Sequence, residues 1–183
     1  MPEDLVVRQC APTLAGIKTG SLFTCPYENR ETMLAEVRDL NRRLTTKGLW
    51  LLPLRCSPKR VLLYLYRPTL LRRDLADSRA AGLLRQAGYP EGGCGRYLGT
   101  LVRRIRENEE FPHEIGLFLS YPPEDVQGFI DHHATDQKFT GTWKVYGDEK
   151  LARARFAAFA RCTDLYCERW RAGFSLEQLA VTV

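Results

Sequence analysis

Cys10, Lys18, His113 and Glu114 carry the side chains whose types and settings could do chemistry in this chain. Cys10 lies in Cys10-Ala11-Pro12-Thr13, which reads as irregular, with Lys18 following closely. A thiol there could be a nucleophile or a soft-metal ligand if a nearby cation favours the thiolate. His113-Glu114 falls between a proline and an apolar stretch. An imidazole at the mouth of a strand could act as a general base or as a metal or haem ligand. Both have a plainer reading. Cys10 could be an ordinary buried thiol, and His113-Glu114 a strand start whose carboxylate pairs with an arginine.

Other residues extend these candidates. Arg67, Lys144 and Tyr146 are expected at strand ends, where Lys18 and Thr13 could join them in a cluster that receives a carboxylate or phosphate. The alternative is a set of solvated strand-end charges. His132 and His133 are consecutive on a helix, so they point about 100° apart and cannot share one metal. Cys25-Pro26 is a dipeptide associated with thiolate haem ligation, and with six cysteines and ten prolines it also arises by chance.

The cysteine spacings limit the chemistry further. No Cys-x-x-Cys occurs among the six, so a structural zinc knuckle is not expected. The start of the chain is acidic and the longest apolar run, Val61 to Tyr66, is short. Neither a signal peptide nor a membrane span is expected, which points to the cytoplasm and to reduced thiols.

The elements that must position these residues follow from periodicity. Ile17 to Cys25 reads as a strand. Leu34, Val37, Leu40 and Leu44 recur at steps of three and four, giving a helix with Asn29 as its cap and Gly48 as its stop. Leu49 to Leu54 and Val61 to Tyr66 form a hairpin joined by Arg55-Cys56-Ser57-Pro58-Lys59. Residues 69 to 87 are helical with a break near Asp77, and Arg96 to Glu107 is a basic helix. Glu114 to Ser120 reads as a strand, Pro122-Pro123 as a helix start, Thr142 to Tyr146 as a last strand, and Asp148 as the cap of a long final helix. The sum is an α+β fold, one domain over 1–183, with a single mixed sheet of three to five strands and helices packed on it. No glycine-rich phosphate loop follows any strand.

Four segments together resemble a prokaryotic family of unknown function found mainly in anaerobic Firmicutes. They are Cys10 to Lys18, Tyr66-Arg67-Pro68, Phe111 to Leu119 and Trp143 to Asp148. The resemblance runs through nearly the whole chain and implies no established activity or catalytic residue. Members accompany ferrous-iron transport and flavodoxin-like proteins, which implies iron or redox handling and a redox partner protein. Where members carry a cysteine before the Gly-x-Trp-Lys segment, this chain has Phe139.

Two functional readings stand. The first is a protein that binds a small anionic molecule or a metal cofactor, with iron or haem as the specific form, and whose status as an enzyme the residues leave open. Its catalytic residues would be His113, Cys10 and Glu114, its metal ligands His113 and Cys10, and its ligand-binding residues Lys18, Arg67, Lys144, Tyr146 and Thr13. Cys10 and His113 would then face one pocket with reactive atoms within about 8 Å, a span one metal could bridge. The second is a non-catalytic module that binds nucleic acid or protein through Arg72, Arg73, Arg79, Arg85, Arg96, Arg103, Arg104 and Arg106. Acids interleave that stripe and base-stacking aromatics do not, so specific nucleic-acid binding is not expected.

Overall fold

A computed structural model describes residues 1–108 and 110–183. Glu109, one of the acids in the basic stripe, lies outside them. The chain forms two compact units, one of residues 1–69 and 159–183 and the other of residues 70–158.

The first unit begins with α1 (Glu3–Leu14), β1 (Gly20–Pro26) and α2 (Arg30–Leu44). Asn29 caps α2 as its sequence position predicts, accepting from the N–H groups of Glu31 and Thr32. Gly48 stops the turn that follows, with φ of +72° in the left-handed region glycine tolerates. β2 (Trp50–Ser57) and β3 (Arg60–Tyr66) form the expected hairpin. β3 is the central strand, flanked by β1 and β2, and every pairing is antiparallel. That position explains why Val61 to Tyr66 is apolar on both faces. The C-terminal part of α8 (Glu149–Arg171) and the short α9 (Leu176–Leu179) complete the unit. Val6, Val7, Cys10, Leu14, Val37, Leu40, Leu63 and Leu65 lie in one core between the helices and the sheet.

The second unit is mostly helical. It contains most of α3 (Pro68–Leu75), then α4 (Ser78–Gln86), α5 (Cys94–Glu107), the single turn α6 (Ile115–Phe118) and α7 (Pro123–Asp131). Asp77 breaks the helical run by capping α4 with its carboxylate. β4 (Phe139–Thr140) and β5 (Lys144–Val145) make a two-stranded hairpin, and α8 starts in this unit, capped by Asp148.

The fold is α+β with helices packed on sheet, as expected, and three details differ. The five strands divide between two antiparallel sheets and do not share one mixed sheet. The segment around Cys10 is helix, because Pro12 falls near the C-terminal end of α1 where its missing N–H costs one intrahelical bond. Within Glu114 to Ser120, expected as a strand, Ile115–Phe118 form the helical turn α6. Its apolar run is too short to separate strand from buried helix by periodicity.

Candidate functional site

The expected site residues fall into separate units. Cys10, Thr13, Lys18 and Arg67 belong to the first and His113, Glu114, Lys144 and Tyr146 to the second.

Cys10 lies on the core face of α1 and is fully buried. Burial pushes its thiol well above the usual range, against which the nearby Lys18 charge and a Ser21 hydrogen bond are the weaker influences. A thiol without exposed surface, held in its protonated form, is neither a nucleophile nor a metal ligand at a pocket mouth. The expected Cys10–His113 pocket needs an exposed thiol at its first member, and Cys10 presents none.

Arg67 follows β3 and is 1% exposed. Its Nε donates to the Thr13 carbonyl at 2.7 Å, Nη2 to Leu14 and Val181 at 2.6 and 2.7 Å, and Nη1 to Lys47 at 3.1 Å. Two of these carbonyls end α1, where the helix dipole places partial negative charge. Arg67 is thus a clamp on the backbone of its own unit, and the anion-receiving role expected of it has no free face. Thr13 is equally internal, its hydroxyl 2.9 Å from that of Ser21.

Lys18 is buried, and desolvation lowers its amine from 10.5 to about 8. The unfolded chain therefore holds this proton more tightly, so the wild type gains stability as pH rises from about 8 to 10.5. Lys18→Met removes that dependence. The unfolding free energy of the wild type relative to Lys18→Met should rise by about 3 kcal/mol between pH 7 and 10.5. Urea titrations at both pH values measure it, and a difference that stays constant would show that the amine is not held neutral.

In the second unit Glu114 is buried and takes the plainer of its two expected roles. Its Oε1 accepts from Nη1 of Arg104 at 2.9 Å. Arg104 also donates to the Ala87 carbonyl and lies over the Tyr89 ring at 4.9 Å. His113 is exposed, with its ring edge-on to Phe129 at 5.3 Å. Lys144 donates to the carbonyl of Ala134, and Tyr146 stacks on His132 at 5.5 Å. Lys144 and His113 line one cleft, and Tyr146 does not.

That cleft has a volume of about 350 Å³. Phe111, His113, Tyr121, Phe129 and Trp143 supply aromatic walls, with Ile115 and Val126 between them and Thr140 and Thr142 at the rim. Tyr121 stacks on Trp143 at 4.7 Å, and Phe156 meets Trp143 edge-on at 4.4 Å. Gly116 keeps the floor tight, since a Cβ there would lie 2.8 Å from Tyr121 and Val126. Asp125, on the first turn of α7, fixes the opposite wall. Its Oδ2 accepts from Trp143 Nε1 at 2.7 Å, and its Oδ1 from the N–H groups of Tyr146 and Gly147 at 2.8 and 2.7 Å. In its local sequence Asp125 is only an acid near a helix start. The signal available for the cleft was the recurrence of aromatic residues from Phe111 to Trp143.

Among the described residues no group of three His, Cys, Asp or Glu could hold a metal ion. No described helix is long and apolar enough to cross a membrane. All six cysteines are free. The basic stripe carries its own counter-charges. Arg73 pairs with Asp74, Arg85 with Glu91 and Arg104 with Glu114.

No curated protein and no solved structure matches the chain. A family model does, over residues 6–180, a range that includes Arg67 and the aromatic cleft. The chain therefore belongs to DUF3793, a family of proteins of unknown function.

Proposed function

We propose that this protein binds a small planar molecule in the aromatic cleft of its second unit. The observation that carries the reading is the cleft lining. Five aromatic side chains bound one hollow, and Asp125 holds the hairpin that supplies Trp143. Pre-formed hollows of this size with mostly apolar walls and a few fixed polar groups are where proteins take small ligands. Offset stacking and edge-to-face contacts add to what burial alone supplies for a ring. His113, on the exposed rim with its ring packed edge-on to Phe129, is one expected site residue that keeps a role here. It acts as a wall and as a hydrogen-bonding group within reach of a bound ring.

Indole is a suitable probe because it is planar, neutral and small enough for about 350 Å³. A ring of that size should bind with about 4 kcal/mol, a Kd near ~1 mM. Thr142 lines the cleft and is exposed, so Thr142→Trp should fill the hollow without touching the core. Calorimetric titration of the full chain should show indole binding, weakened at least tenfold by Thr142→Trp. Equal binding by wild type and variant would place the ligand elsewhere and defeat the proposal.

A further inference from the structure

The cleft opens beside a second hollow, of about 430 Å³, whose lining is polar. Phe111, Pro112 and His113 line both, so a ligand seated in the aromatic part has its outer end next to the polar one. The polar hollow is bounded by Arg104, Asn108, Glu110 and Glu114. This arrangement bears on the chemistry of the ligand, and the inference rests on the cleft reading above.

The charges decide between an acid and an amine. Carboxylates from Asp125, Glu110 and Glu114 line the two hollows against the cations of Lys144 and Arg104. Among the described residues, and leaving His113 aside, the lining carries one excess negative charge, in a chain whose net charge is +5. Most of these groups are already engaged. Glu114 is paired with Arg104, Asp125 accepts three N–H donors, and Lys144 donates to Ala134. Glu110 is exposed and makes no hydrogen bond or ion pair with any described residue. The excess charge therefore sits at Glu110. Phe111, 44% exposed, stands beside it and adds an aromatic surface on which a cation is favoured.

We propose that the ligand of this site is a small aromatic amine, bound as its ammonium form. The ring lies in the cleft and the ammonium extends past His113 to the Glu110 carboxylate. A carboxylate or phosphate at the same place would meet Glu110 with like charge. The small anionic molecule expected of the strand-end cluster is thus replaced, for this site, by a small cation.

The test compares three probes of one ring system on the full chain near pH 7, which are indole, tryptamine and indole-3-propionate. An exposed ion pair with a cation–π contact should make tryptamine bind about five- to tenfold more tightly than indole. Indole-3-propionate should bind more weakly than indole. Glu110→Gln changes an exposed side chain, so it should leave indole unchanged and bring tryptamine to within about twofold of it. High salt should narrow the gap between tryptamine and indole in the wild type. If indole binds and tryptamine gains nothing, or its gain survives Glu110→Gln, the amine assignment fails and the cleft reading stands. Tightest binding of indole-3-propionate overturns the assignment in the same way. If indole itself does not bind, both fall.

Discussion

Replacing Arg67 with methionine should lower the unfolding free energy by about 4 kcal/mol, and the midpoint of thermal unfolding by roughly 10 °C. Methionine fills much of the volume and removes every donor. Four carbonyls, of Thr13, Leu14, Lys47 and Val181, then lose their charged donor, and those of Thr13 and Leu14 keep only the backbone N–H groups of Gly16 and Val181. Three of these bonds are 2.7 Å or shorter, in the range of charge-assisted pairs, and the Arg67 side chain is almost wholly withdrawn from water. Hydrogen bonds to a charged donor contribute about 1.5–3 kcal/mol each, and partial relaxation of the loops keeps the total below their sum. Arg67→Lys should fall between, since an ammonium keeps the charge and cannot reach four carbonyls in a fixed fork. Chemical denaturation of the three proteins decides it. A loss below about 1 kcal/mol for Arg67→Met would mean that the carbonyls find water or other donors, and that the clamp does not organise this unit.

Asp125→Ala should cost about 3 kcal/mol, and its larger consequence should be functional. The Asp125 carboxylate is 3% exposed and receives the Trp143 indole N–H and two backbone N–H groups of the turn after β5. Alanine leaves three donors without an acceptor. The wall of the cleft carrying Trp143 should then move, and indole affinity should fall at least tenfold. Asp125→Asn is the sharper comparison. Its single amide oxygen can serve one side of the original pair while its NH₂ faces a donor on the other. Binding should be impaired in the asparagine variant even where enough stability remains for folding. An Asp125→Asn protein that binds indole as the wild type does would show that this carboxylate does not position the cleft.

The two substitutions also mark where sequence reading succeeds and where it stops. α2 is legible because Leu34, Val37, Leu40 and Leu44 repeat at helical spacing and Asn29 and Gly48 bound it with local backbone chemistry. The β2–β3 hairpin and the break at Asp77 are legible for the same reason, since each signal lies within a few residues of its effect. α1 is obscured by Pro12, whose position in the helix decides its cost. Ile115 to Phe118 is obscured by length, because a few buried apolar residues fit a strand or a helical turn equally well.

The site residues are harder, for a physical reason. Glu114 and Arg67 look alike as polar residues near element ends, and only the fold shows that one meets Arg104 and the other four carbonyls. His113 was visible as a residue type, and its aromatic neighbours were visible singly. Their convergence depends on a hairpin of two-residue strands, β4 and β5, which carries almost no periodic signal. Asp125 is the clearest case. Its partners lie 18 to 22 positions away, and nothing in its local sequence separates a three-donor acceptor from an ordinary first-turn acid.

The three tryptophans give the most direct test of the central claim. Trp143 alone lines the cleft, while Trp50 belongs to β2 and Trp170 packs against the core of the first unit. Each indole N–H has its own proton–nitrogen resonance in uniformly ¹⁵N-labelled protein, and Trp143→Phe identifies the one of interest. On titration with unlabelled indole, the Trp143 resonance should shift progressively and saturate with a Kd near ~1 mM, as its hydrogen bond to Asp125 feels the ring bound beside it. The Trp50 and Trp170 resonances should stay in place. A Trp143 resonance that does not move at saturating indole, or three resonances that move together without saturating, would contradict a binding site in this cleft.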